Sequence, residues 1–250
     1  MATPSTRLWS MAMGSTAMLI VAAGCAGGMG RGDKAGFAAF AGQSKLPAVE
    51  VPVVSAPVVD GNMDGVYAKA TPLAFVFLDG SAKAPKTRTT AYVVSSTDAL
   101  FIFVKCDTTM PDRLLKVNPE ADIWHREYVE VFVTSRTDRT GAFAHFAASP
   151  SGPVHSGMSG KNGEEPVRTF RARSKVKVTK TGWTAEFAIP FTDLGVQPNK
   201  ANKVWVANIG RLALAEGEDV AWCPIGQSES FGPAKFGFLW LDTGTVDNSK

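Results

Sequence analysis

From Val51 onward, hydrophobic residues recur at every second position rather than with the helical spacing of three and four. In Leu100 to Asp107, Phe101 and Phe103 fall on one face and Ile102, Val104 and Cys106 on the other, as in a strand buried on both sides. Tyr128 to Val133 separates Val129, Val131 and Val133 from Tyr128, Glu130 and Phe132. Gly182 to Phe191 turns Trp183, Ala185, Phe187 and Ile189 inward and Thr184 and Glu186 outward. Thr87 to Ser95, Gly141 to Ala148, Val167 to Arg173, Lys175 to Thr179, Lys203 to Arg211 and Lys235 to Leu241 are further strands. Turn-forming clusters at 96–98, 137–141, 149–152 and 179–182 divide them. Short helical turns are expected at Met63 to Lys69 and Phe191 to Gly195. Many short strands at hairpin spacing, with no internal repeat, predict an all-β fold, an antiparallel β-sandwich of jelly-roll type.

The N-terminus departs from this pattern. Arg7 is the one charge before an apolar stretch of small residues, Met11 to Gly24, followed by Cys25. This reads as a signal peptide over 1–24 ending in a lipobox-like Ala-Ala-Gly-Cys, with Cys25 the lipidated residue; a plain secreted protein cleaved nearby is the alternative. The lipid reading implies an exported chain in the cell envelope, an outer-membrane lipoprotein anchored to the membrane. Residues 25–47, rich in Gly, Ala and Ser, read as a flexible tether. A single domain over 48–242 and a polar tail over 243–250 complete the chain, and the domain is long enough for its own core.

Composition narrows the partners. Across 250 residues, 45% are hydrophobic and 20% charged, and the formal net charge is +3, which excludes a disordered chain and a nucleic-acid-binding arm. In an oxidising compartment, Cys106 and Cys223 are either bridged by a disulfide or are two buried thiols, and their spacing does not decide between these. No Cys-x-x-Cys or zinc-type grouping occurs.

Catalytic and metal motifs are refused one by one. Asp60-Gly-Asn-Met-Asp64-Gly65 matches the first half of an EF-hand loop, but its closing position holds Thr71 rather than glutamate. A turn with Asp64 capping a short helix accounts for it, and calcium stays open as a ligand. Gly157-Met-Ser-Gly-Lys-Asn162 lacks the rest of a phosphate loop, and His125, His145 and His155 have no partners at nucleophile or zincin spacing. Glu127 and Glu130, three apart on a strand, face opposite sides and make a poor glycosidase pair. The chain is expected not to be an enzyme.

Six motifs in linear order resemble family 9 carbohydrate-binding modules. They are Val59-Asp-Gly-Asn-Met-Asp-Gly-Val-Tyr67, Asp98-Ala-Leu-Phe-Ile-Phe-Val-Lys-Cys-Asp107, Asp122-Ile-Trp-His-Arg-Glu-Tyr-Val-Glu-Val-Phe132, Gly182-Trp-Thr-Ala-Glu-Phe-Ala-Ile-Pro-Phe191, Trp205-Val-Ala-Asn-Ile-Gly-Arg211 and Phe236-Gly-Phe-Leu-Trp-Leu241. The resemblance implies non-catalytic carbohydrate binding in an aromatic cleft, two tryptophans enclosing a sugar ring near a glycan's reducing end. Trp124 and Glu130 fall at the family's first tryptophan and its sugar-binding glutamate, and Trp222 is the candidate second wall. Asn208 and Arg211 are either rim donors or a structural pair. Glu127 stands where the family commonly has aspartate, and no family arginine matches around His145 to Ser151. Trp183, Trp205 and Trp240 read as core. Two alternatives accompany this: a haem-binding relative of the same sandwich, with Met110 and Met158 in loops as axial candidates, and a structural envelope protein without a small ligand.

Overall fold

A computed structural model describes residues 34–116, 118, 121–137, 139, 141–159, 170–197, 203–226 and 232–241. In chain order its strands are β1 (Ala48–Val51), β2 (Leu73–Ala74), β3 (Val76–Phe77), β4 (Thr89–Ser95), β5 (Ala99–Asp107), β6 (Tyr128–Thr134), β7 (Phe143–Ala148), β8 (Val154–Ser159), β9 (Arg173–Val178), β10 (Gly182–Pro190), β11 (Val204–Ala213), β12 (Glu218–Ala221) and β13 (Gly237–Leu241). They form two sheets. One is eight-stranded, in the order β1-β13-β11-β6-β7-β8 with β12 and β3 paired outward from β11; the other is five-stranded, β2-β4-β5-β10-β9. Every pairing between these strands is antiparallel except β1 on β13, which is parallel.

The alternation read from sequence places the core. Val129, Val131 and Val133 of β6, Ile102, Val104 and Cys106 of β5, and Trp183, Ala185, Phe187 and Ile189 of β10 all enter the cluster between the sheets. Phe101 and Phe103 face the other way, into a second cluster with Tyr67 on the outside of the five-stranded sheet. Burial of an apolar side chain this size stabilises by roughly 1.5–3 kcal/mol, so the two clusters hold the layers together.

Glu186 is the exception within β10. The period of two assigns it to solvent, yet it is fully buried. Its Oε2 accepts from the backbone N–H groups of Asp60 (3.0 Å) and Gly61 (2.9 Å), and its Oε1 from the Tyr67 hydroxyl (2.8 Å). The opening Asp-Gly-x-x-Asp-x-x-Tyr motif is therefore a latch that folds the 60–67 segment over the five-stranded sheet. Gly61 adopts φ +82°, where a side chain is strained, and a Cβ there would meet Val176 and Lys177 at 3.3 Å. Asp64 caps the 3-10 turn Gly65–Lys69 by accepting from Val66 N–H at 3.0 Å. Burial, the largest influence, pushes the Glu186 carboxyl up, and the three donated hydrogen bonds oppose it.

The tether reading is corrected where residues are described. Lys34–Ser44 is an α-helix, α1. Its alanine-rich sequence favours helix, and Phe37 and Phe40 share one face at i, i+3 spacing. Phe37 packs on Trp240 (5.1 Å between ring centroids) and Phe40 on Phe238 (4.9 Å), while Lys34 pairs with Glu50. Two phenylalanines in an otherwise small-residue segment are too few to display a period, but enough to anchor it. Of the expected strand at 167–173, residues 167–169 lie outside the described residues, as do the signal peptide, Cys25 and the tail; the strand that follows is Arg173–Val178.

Candidate functional site

Side chains on the outer face of the eight-stranded sheet alternate with the core positions. Cross-strand pairing sets Glu130 opposite Ala147 and Gly210, Phe132 opposite His145 and Asn208, His145 opposite Gly157, and Ala147 opposite His155. Trp124 reaches this face from the 3-10 turn Ile123–His125, just before β6. Asp122 caps that turn: its Oδ1 accepts from Trp124 N–H (3.0 Å) and lies 2.7 Å from His125 Nδ1. The bond with His125 is the main reason the exposed Asp122 carboxyl sits below the usual range.

The indole is half-buried and framed by three rings. His145 lies nearly parallel beneath it (5.2 Å, 27°), Tyr128 meets it edge-on (5.4 Å, 90°), and His155 approaches at 5.1 Å and 63°. His145, 3% exposed, is fixed in turn by Phe132, stacked at 4.3 Å, and by Glu130, whose Oε2 lies 3.3 Å from His145 Nε2. Two glycines leave room for this layer. A Cβ at Gly157 would approach His155 Nε2 to 3.0 Å, and one at Gly210 would meet Glu130 Oε1 at 2.9 Å. The arrangement offers an aromatic surface backed by a buried acid–imidazole pair, with the half-buried His155 beside it.

His155 is held neutral to low pH. Burial chiefly, and then the neighbouring His145, push its pKa down from 6.5 to about 4 against the opposing pull of Glu130. The folded form therefore refuses a proton that the unfolded chain accepts. Stability is expected to be independent of this group above pH 6.5 and to fall by one proton's worth of slope between 6.5 and about 4. Urea titrations across that range should show a shallower pH dependence in His155→Gln; parallel curves for the two proteins would show that the imidazole is not held neutral.

The other expected site residues lie elsewhere. Trp222 is 7% exposed; its N–H bonds to Ile209 O, and its ring joins the cluster between the sheets, so it makes no second wall for Trp124. Asn208 is fully buried and clamps Cys223, accepting from its N–H and donating Nδ2 to its carbonyl, each at 2.9 Å. Arg211, also fully buried, points into the sandwich. It donates Nη2 and Nε to Glu127 Oε1 (2.6 and 3.2 Å) and Nη1 to Thr89 Oγ1 (3.0 Å), while Trp183 Nε1 donates to the same Glu127 oxygen at 2.8 Å. Both residues are structural and neither is a rim donor.

Cys106 and Cys223 are free, buried thiols, the second of the two alternatives their spacing left open. Cys106 sits on β5 of the five-stranded sheet, paired with Trp183 and Thr89, whereas Cys223 is held by Asn208 on the other sheet. Burial pushes both thiols up to about 12, so they behave as small apolar side chains. The EF-hand-like turn closes on itself: Asp60 accepts from Asn62 N–H (2.8 Å) and Nδ2 (2.9 Å), and Lys177 brings its ammonium to Asn62 Oδ1 (2.5 Å). Among the described residues no three His, Cys, Asp or Glu gather as a metal site. Met158 packs against the inter-sheet core and Met110 precedes the 3-10 turn Pro111–Arg113.

The carbohydrate family 9 binding domain-like family model matches residues 59–215, more than half of the chain. The chain belongs to this family. Among solved structures, a family 9 carbohydrate-binding module from Caldicellulosiruptor kristjanssonii in complex with cellotriose is similar, with 14% identity and a TM-score of 0.59, covering 82% of this chain and 97% of that one. The glucose complex of a family 9 module from the same organism gives 14% and 0.59, covering 81% and 98%. At that identity the likeness speaks for the fold, and the sandwich expected from the period of two is the family 9 sandwich. No curated protein matches the chain.

His145 and His155 stand at neither nucleophile nor zinc spacing, so no linear motif marks them. The signal was available in the hairpin: a turn at 149–152 folds β8 back on β7, and two-residue alternation then brings both imidazoles to the Glu130 face.

Proposed function

We propose that this chain binds carbohydrate without transforming it, through the outer face of the eight-stranded sheet around Trp124, and that it does so in the cell envelope, held by a lipid on Cys25. The observation that carries the binding reading is the half-buried Trp124 ring, fixed from beneath by the Glu130–His145 pair in a chain of the family 9 carbohydrate-binding domains. A sugar's C–H face is apolar and stacks on an indole, while its hydroxyls need polar groups alongside. His155, neutral at ordinary pH, both donates and accepts, and the Asp122–His125 pair lies exposed beside the ring. Glu130, 3% exposed, acts through His145 and orients the platform. Hydrolysis of a glycosidic bond needs two carboxyls flanking it. Here Glu127 is spent inside the sandwich on Arg211 and Trp183, on the opposite side of the sheet from Glu130.

Titrating the full-length chain with a panel of soluble oligosaccharides tests this. At least one should quench the tryptophan fluorescence with a Kd of about 10 µM to 1 mM, the range open to small, wet sugar contacts. No response to any member, in a folded protein, would sink the reading. The anchor has a separate test. Cys25→Ser should release the protein from the membrane fraction into the soluble fraction, and unchanged membrane partition would remove the lipid from the account.

A further inference from the structure

The indole of Trp124 rides on a turn of only three residues, and the Asp122 cap that starts this turn lies in water, its side chain 60% exposed. Ile123 packs beneath with Tyr128 and Ala147, and the polar hold from inside the protein comes from Arg126, the residue that follows the turn. Arg126 is 4% exposed, and its backbone N–H closes the turn on Ile123 O at 3.2 Å. Its guanidinium then reaches back past Trp124. Nε and Nη2 donate to Ala121 O (2.9 and 2.6 Å), Nη2 also to Asn118 O (3.1 Å), and Nη1 crosses to Ser151 Oγ (3.0 Å). Ser151 belongs to the turn at 149–152 that joins β7 to β8; its hydroxyl lies 2.8 Å from Ser149 Oγ, and Ser149 N–H donates to Pro153 O at 3.0 Å. One buried side chain therefore ties the backbone leading into Trp124 to the turn leading into His155, whose ring lies 5.1 Å from the indole.

We propose that Arg126 is a positioning residue: it fixes the pose of Trp124 against His155 without touching the ligand, and through that pose it sets the affinity for sugar, a consequence that rests on the carbohydrate reading above. The side chain suits the task. A guanidinium is planar and carries five N–H donors in a fixed fork, so it serves carbonyls on one side and a hydroxyl on the other at once, whereas an ammonium is a single point charge on a flexible stem. A stacking ring that is held in place before the ligand arrives loses none of the contact energy to its own ordering. Arg126 thus governs a surface that it does not form.

Trp124 reports on its own pose. Near-UV circular dichroism and acrylamide quenching are recorded for the full-length protein and for Arg126→Met, Arg126→Lys and Ser151→Ala, each with and without Trp124→Phe, so that the difference isolates this one indole. In Arg126→Met the Trp124 dichroism should collapse and its quenching should rise, while the signal left in the Trp124→Phe background stays that of the parent. For an oligosaccharide that binds the parent, Kd should rise about tenfold in Arg126→Met and less in Arg126→Lys. Ser151→Ala removes only the link to the β7–β8 turn and should shift the Trp124 signal the same way by a smaller amount; it decides alone if Arg126→Met does not fold. An unchanged Trp124 difference signal in the deciding variant overturns the inference, as does an unchanged Kd in Arg126→Met for a sugar that binds the parent. If no sugar binds the parent, the carbohydrate reading falls by itself, and the spectra uphold or overturn the positioning role as before.

Discussion

Glu127→Ala is expected to lower the unfolding free energy by about 3–5 kcal/mol, because it strands a guanidinium inside the sandwich. Arg211 is fully buried, and Glu127, 3% exposed, gathers three N–H donors on one oxygen, two from Arg211 and one from the Trp183 indole. Glu216 Oε2, 4.0 Å from Arg211 Nη2, is an ion-pair partner without a hydrogen bond and offsets only part of the loss. Glu127→Gln keeps an acceptor for Trp183 but loses the charge, and should fall between the two. Replacing both partners, as Glu127→Leu with Arg211→Met, removes the stranded charge and should recover most of the loss. Urea denaturation followed by tryptophan fluorescence reads all three. A loss below about 1 kcal/mol for Glu127→Ala would mean that Arg211 reaches solvent and that its burial is misassigned.

The same cluster shows where a one-dimensional pattern stops being informative. Alternation located β5, β6 and β10, and the direction of their valines and phenylalanines, because every residue of such a strand reports on the same two faces. It misjudged Glu186, whose cover comes from a segment 126 residues earlier in the chain, and nothing within β10 announces that a loop folds over it. Arg211 was legible as either a rim donor or a structural partner. The deciding contact lies 84 residues away at Glu127. Trp124 stands beside the charged run His125 to Glu127, whereas Trp222, among Val220, Ala221, Cys223 and Pro224, carried no local sign of which way its ring turns. Only the pairing of Trp222 with Ile209 turns one inward, while the Asp122 cap holds the other at the surface. Short edge strands such as β2 and β3, two residues each, carry too few positions to show a period at all.

Trp124→Ala should abolish sugar binding while costing little stability, and Trp183→Ala should do the reverse. Trp183 is 1% exposed, fills space between the sheets and donates its N–H to Glu127, so its truncation leaves both a cavity and a weakened acid–guanidinium cluster; the expected loss is about 3–5 kcal/mol. Trp124 is half-buried and keeps its neighbours mostly through ring contacts at its edges and one face, so its removal should cost about 1–2 kcal/mol. Its functional effect is far larger, because among the described residues every other indole is buried, and stacking accounts for most of what a small, solvent-open sugar contact gains. His145→Phe refines the point. The ring beneath Trp124 is retained and the Glu130 bond is lost, leaving a buried carboxylate without its imidazole partner, so stability should drop while the stacking surface persists. Binding titrations and urea midpoints on the three variants separate platform from core. If Trp124→Ala binds as well as the parent protein, or unfolds as readily as Trp183→Ala, then Trp124 is a packing residue and the ligand surface lies elsewhere on the sandwich.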